Sequence, residues 1–175
     1  MCGRYKITKP VTKTVDLVKT NIKVEDTDNY NAHPTQKLPI IKSYTNGKAL
    51  ELSEWGLVPS WSKKLDKFSP LINARKETLM EKVTFKNLIQ TSRCIIPADG
   101  YYEWTRQHRQ PYYITHLENK ILPLAGLWTS WQSSSSNILS TYTVITTSPV
   151  NSIDHIHNRM PLILDKNSIE KWIDC

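Results

Sequence analysis

Alternating apolar and polar positions dominate the second half of the chain. The runs 93–97, 101–105, 111–117, 121–128 and 139–146 are rich in Ile, Val, Leu, Thr and aromatics, have strand length, and are followed by a shorter run at 160–164. Upstream, residues 38–45 and 48–54 flank Asn46-Gly47, a strong short-range hairpin signal. Helical spacing is rarer. Val11, Val15 and Val18 fall near one face of a helix over 10–20, with Pro10 suited to its first turn. Residues 73–91 read as helical in two pieces, and 167–173 as a short last helix with Asn167 and Ser168 as capping candidates. Trp55 to Trp61 (WGLVPSW) is too broken by Gly and Pro for an element and reads as a loop carrying exposed or half-buried indoles; Ser133 to Ser136 reads as a loop tip. The expectation is an α+β fold: a curled, barrel-like, mainly antiparallel sheet with a few flanking short helices. With no internal repeat, residues 1–175 are expected to form a single domain, and no heptad suggests anything but a monomer.

Composition narrows the class. At 39% apolar and 22% charged residues, the chain is globular in type. No stretch approaches the length of a membrane-spanning helix, and MCGRYKITKP has no apolar signal-peptide core behind it. Cys2, Cys94 and Cys175 cannot all pair and none lies in a CxxC, which argues for a reducing, intracellular setting without a cysteine-rich metal site. The net charge of +7 is uneven: residues 1–88 hold 16 Lys and Arg against 9 Asp and Glu, whereas 89–175 hold 7 of each. That asymmetry fits a surface facing a polyanion such as nucleic acid, or plain solubility.

Cys2 is the chemical anomaly. If the initiator Met1 is removed, Cys2 carries an α-amine (pKa about 7.7–8.0) and a thiol (pKa about 8.5) on adjacent carbons. Such a 1,2-aminothiol forms a Schiff base with an aldehyde and then closes a five-membered thiazolidine. It can equally serve as an acyl-transfer nucleophile, its own amine acting as base. Taken alone, a cysteine at position 2 is more often coincidence. Three further residues are ambiguous in isolation. Asn73 reads as a helix cap, Glu103 as a solvated strand residue between aromatics, and His157 as a partner of His155, although no Cys, His, Asp or Glu set completes a metal site.

The motifs resolve the ambiguity by their order. The chain reads MCGRY, then Asn31-Ala32-His33-Pro34-Thr35, Trp55-Gly56-Leu57-Val58-Pro59, INARKET over 72–78, RCIIPADGYYEW over 93–104 and His157-Asn158-Arg159-Met160-Pro161. Collinear over 2–173, they resemble the SRAP family, the abasic-site-processing proteins also called SOS-response-associated peptidases. The resemblance implies the SRAP fold and a DNA-damage function. In it, Cys2 captures the ring-opened aldehyde of an abasic site in single-stranded DNA as a stable thiazolidine, shielding the lesion. It implies that Asn73 orients the cysteine or the sugar, that Glu103 moves protons during Schiff-base formation and slow reversal, and that His157 protonates the sugar ring oxygen. It further implies DNA contacts from Arg4, Arg75, Arg159, Trp55, Gly56 and Trp104, with Pro34 shaping the groove and Lys63, Lys64 and Lys67 peripheral. No cofactor or metal is implied. Nucleoid association in a bacterial or phage setting, or a nuclear location in a eukaryotic one, would follow, as would a possible partner at replication forks.

Family members usually continue some tens of residues past the last predicted helix, so part of the usual domain is expected to be missing from this chain. Two other functions use the same features: a cysteine-type peptidase or autopeptidase acting through Cys2, and a non-covalent single-strand binder relying on the basic half and the tryptophans.

Overall fold

In a computed structural model of the protein, the described residues are 2–15, 17–62, 69–132 and 137–175. Met1, Lys63, Lys64, Lys67 and the serine run 133–136 lie outside them. Five strands close a barrel: β4 (Lys37–Tyr44), β5 (Gly47–Trp55), β7 (Arg93–Ala98), β10 (Leu122–Gln132) and β11 (Ile138–Thr147). Pairing runs β5-β4-β7-β10-β11 antiparallel throughout and returns to β5 through a parallel seam, Thr141 opposite Glu54 and Tyr142 opposite Trp55. The parallel seam is obligatory, because strand direction cannot alternate around an odd number of strands.

A four-stranded antiparallel sheet lies beside the barrel, in the order β3-β1-β8-β9: β1 (Arg4–Ile7), β3 (Asn29–Ala32), β8 (Gly100–Trp104) and β9 (Pro111–Thr115). Short strands extend the barrel sheet, β2 (Asn21–Ile22) on β5 and β12 (Met160–Pro161) on β11. Alternation sorts the core into two clusters. On β7, Cys94, Ile96 and Ala98 join Cys2, Tyr5, Trp55, Tyr101 and Tyr142, while Ile95 faces Phe85, Ile169 and Ile173 on the opposite side. Both faces of β7 are buried, which is why its sequence is nearly continuous in apolar residues. Among the described residues no helix is long and apolar enough to cross a membrane.

The helices depart from the sequence expectation. The first, α1 (Pro10–Thr14), stops after one turn with Pro10 at its start, and Val15 is exposed beyond it. The segment 73–91 is not two long helical pieces. It holds a strand, β6 (Asn73–Arg75), a 3-10 turn over Lys76–Thr78, and one-turn helices α2 (Val83–Lys86) and α3 (Leu88–Thr91). Parallel pairing of Asn73, Ala74 and Arg75 with Val144, Ile145 and Thr146 of β11 overrides their helical propensity. The last helix, α4 (Lys166–Ile173), starts one residue earlier than expected and is capped not by Asn167 or Ser168 but by Asp165, whose Oδ1 accepts from the Ser168 backbone N–H at 2.8 Å. The β4–β5 hairpin forms as predicted, with Gly47 at φ +121° pairing opposite Tyr44.

Candidate active site

Cys2 enters the core just before β1, fully buried. Asn73 reaches it from β6, its Nδ2 donating to the Cys2 carbonyl oxygen at 3.0 Å. The sheet fixes this contact: Asn73 pairs with Val144, and the Val144 N–H donates to Ile72 O at 3.1 Å. Glu103 lies on β8, the strand hydrogen-bonded to β1, where alternation turns Tyr101 and Glu103 inward with Tyr5. Glu103 is only 4% exposed, so it is not the solvated strand residue that its position alone suggests. Its Oε1 accepts from the Trp104 N–H at 3.3 Å. Burial, and after it the Glu103 charge, pushes the Cys2 thiol up to about 12. The thiol is therefore protonated at neutral pH.

His157 comes from the turn that leads into β12. Its Nδ1 accepts from the Arg159 backbone N–H at 3.0 Å, so the neutral ring carries its proton on Nε2. Burial pushes the imidazole below its ordinary value, and the Glu103 charge opposes that. Asn73 touches Cys2, and the Glu103 charge acts on both the Cys2 thiol and the His157 imidazole. Two more buried polar atoms, Asn73 Oδ1 and the Tyr101 hydroxyl, have no hydrogen-bond partner among the described residues. Behind them Tyr5 and Tyr142 share a hydroxyl–hydroxyl bond of 2.9 Å.

The expected DNA-contacting residues divide. Trp55 is 0% exposed, stacks on Tyr142 with centroids 6.2 Å apart and donates its indole N–H to Ile72 O at 2.9 Å. It is a core residue and presents no free face to a base, which corrects its assignment to the contact set. Gly56 is also buried and works through its backbone: at φ +130°, a Cβ would stand 2.6 Å from Pro70 Cβ. Arg159 is tied down, its two terminal nitrogens on Glu77 at 2.9 and 3.0 Å and one of them on Thr146 O at 2.6 Å. Arg75 is exposed at the end of β6. Pro34 is half-buried in a turn whose Thr35 N–H donates to Trp55 O at 2.8 Å. Arg4 donates to Asn31 Oδ1 at 3.1 Å, and with Trp104 it lines an open groove of about 600 Å³ shared with Gly3, Tyr30, Asn31 and Tyr102.

Sequence reasoning missed Tyr30, Asn31, Tyr102 and Tyr101. The period-2 pattern of GYYEW could have flagged Tyr101, since it puts Tyr101 and Glu103 on one face. Among the described residues no group of three or more His, Cys, Asp or Glu is arranged to hold a metal ion.

Known proteins resemble this chain over most of its length. "Abasic site processing protein YoqW" of Bacillus subtilis (strain 168) is 34% identical over 181 residues, covering 99% of this chain and 80% of the relative. "Abasic site processing protein HMCES" of Xenopus tropicalis is 32% identical over 179 residues, covering 83% of this chain and 53% of the relative. A solved structure of a protein from Bacteroides thetaiotaomicron superimposes with a TM-score of 0.85 at 26% identity, covering 99% of this chain and 81% of that one. The family sequence model described as "SOS response associated peptidase (SRAP)" matches residues 1–175. With that match added to the barrel and the Cys2 group, the chain belongs to the SRAP family.

Proposed function

We propose that this protein processes abasic sites, and that it does so by covalent capture in single-stranded DNA through Cys2 after removal of Met1. The α-amine adds to the C1′ aldehyde of the ring-opened sugar, and the carbinolamine loses water to give an imine. The thiol sulfur then adds to the imine carbon while the S–H proton passes to nitrogen, closing a thiazolidine. One C–N and one C–S bond form, and one water leaves. Burial keeps the thiol as S–H, so the amine attacks first. Glu103 accepts and returns the protons of imine formation and ring closure, and the same transfers in reverse open the ring slowly. His157 offers Nε2–H to the sugar ring oxygen and so favours the open aldehyde. Asn73 steadies Cys2 through its carbonyl, leaving Oδ1 to accept from the amine or from a sugar hydroxyl.

The observation that carries this reading is the Asn73–Cys2 contact with the Glu103 charge acting on the same cysteine. The raised thiol also weighs against a peptidase, whose attacking group is a thiolate. The test mixes purified protein with a single-stranded abasic oligonucleotide and runs a heat-denaturing gel beside intact-mass analysis. Wild type should give one adduct at the summed mass minus water, with Met1 absent. Cys2→Ala and Cys2→Ser should give no heat-stable adduct. If the variants cross-link as well as wild type, or wild type does not cross-link at all, covalent capture through Cys2 is wrong. Loss of an engineered N-terminal extension from wild type but not from Glu103→Ala would support self-cleavage.

A further inference from the structure

The outer face of the β3-β1-β8-β9 sheet carries side chains that the chemistry at Cys2 does not use. On β1 and β8, Tyr5, Ile7, Tyr101 and Glu103 face the core, leaving Arg4, Lys6, Tyr102 and Trp104 on the other side. Neighbouring strands add Tyr30, 60% exposed, and Tyr113, 42% exposed. The water-facing side of an antiparallel sheet is ordinarily polar; this one presents aromatic rings among cations.

The rings are held in place. Tyr102 and Tyr113 pack with centroids 4.8 Å apart, and Tyr102 donates its hydroxyl to Tyr30 O at 3.0 Å. Lys6 Nζ sits 4.9 Å from the Tyr30 ring centroid. Gly100 makes room for Tyr113, because a Cβ there would come within 2.8 Å of Tyr113 Cε2. The two nearby carboxylates are engaged: Asp28 accepts from Lys9 N and the Tyr30 hydroxyl, and Asp99 from Thr8 and Lys13. The face runs into the groove lined by Gly3 and Arg4, and Gly3 directly follows Cys2.

We infer that this sheet face is a stacking platform for the intact nucleotides on one side of the lesion, with bases on Tyr30 and Tyr113 and a phosphate near Lys6. The inference rests on the reading of Cys2 as the capture residue and adds where the rest of the strand goes. Exposed rings beside cations suit unpaired bases of any sequence, since every base has a π face and every linkage a charge. From β3 to β9 there are three strand spacings, about 14 Å, or about four stacked nucleotides at 3.4 Å each.

The test measures adduct formation at subsaturating protein, on abasic oligonucleotides lengthened one intact nucleotide at a time on the 5′ or the 3′ side. For wild type the rate rises over about four added nucleotides on one side only and then levels. Tyr30→Ala with Tyr113→Ala flattens that rise, lowering the rate on the long strand about tenfold and leaving the shortest strand unchanged. Tyr30→Phe with Tyr113→Phe keeps the wild-type profile, which controls for folding. Lys6→Ala reduces the salt dependence on the long strand by about one counterion. Equal rates for wild type and the alanine pair at every length overturn the platform, as does an equal drop on the shortest strand. If wild type forms no adduct at any length, the capture reading has failed instead. Fluorescence anisotropy with an intact oligonucleotide then tests the platform alone, with weaker binding by the alanine pair expected and unchanged binding overturning it.

Discussion

Two polar clusters, one among the barrel strands and one where the neighbouring sheet packs on them, are built on opposite principles. Toward one end, Lys42 is 1% exposed and fully engaged: Nζ donates to Glu51 Oε1 at 2.8 Å and to Ser140 Oγ at 2.6 Å, and lies 4.4 Å from the Trp128 ring centroid. Tyr44 and Lys23 also donate to Glu51, and Ser53 shares a bond with Ser140. The Trp128 indole N–H there has no partner among the described residues. Toward the other end, the Cys2 group leaves the buried Asn73 Oδ1 and Tyr101 hydroxyl without a partner among the described residues. A saturated cluster contributes to stability and to a unique packing. An unsatisfied one costs stability and leaves polar atoms available to a reactant.

Substitutions should separate the two ends. The largest effect is expected for Cys2→Ser, which abolishes the heat-stable adduct on a denaturing gel, while Lys42→Met still forms it at a permissive temperature. Lys42→Met should instead cost about 1–3 kcal/mol in chemical denaturation, because Ser140 and Glu51 lose the buried donor they share, although Lys23 and Tyr44 stay on Glu51. Glu103→Gln should show the reverse pattern, slowing single-turnover adduct formation about 100-fold without lowering the melting temperature. If Glu103→Gln melts lower and Lys42→Met loses capture, the contrast between the ends is wrong.

The pH profile sharpens the chemistry. With burial holding the thiol above its ordinary range and the α-amine near 8, the adduct rate should rise from about pH 6 and level off near pH 8 as the amine loses its proton. A rate still climbing steeply above pH 9 would mean that the thiolate attacks first. The smallest effect belongs to Glu77→Gln. Glu77 is largely exposed, and Arg159 keeps its bond to Thr146 O, so thermal melting should register a loss below about 1 kcal/mol.

The strands that form most of the barrel were legible because their side chains face buried surfaces with period 2, and the β4–β5 hairpin because Asn46-Gly47 marks its turn. β1 and β3 escaped notice: each has four residues, and RYKI and NYNA are half polar because their outer face meets water. β6 was misread because Ala74, Arg75 and the residues after it favour helix, and only pairing with the distant β11 makes them extended. In the candidate site, Cys2, Asn73, Glu103 and His157 were singled out through their motifs, since nothing local in the sequence indicates that they meet. Trp55 went the other way: WGLVPSW looks like a surface loop, and the seam with Tyr142 that buries the indole joins residues far apart in the chain.

That seam also bears on the order of synthesis. Cys2 leaves the ribosome well before Asn73, Glu103 and His157, and β5 cannot meet β11 until residues 138–147 have been translated. A nascent chain therefore carries the cysteine without its carboxylate or imidazole. On the proposed reading of Cys2, the full set meets only after β11 has formed and fixed Asn73, so capture waits until translation has passed the barrel's last strand.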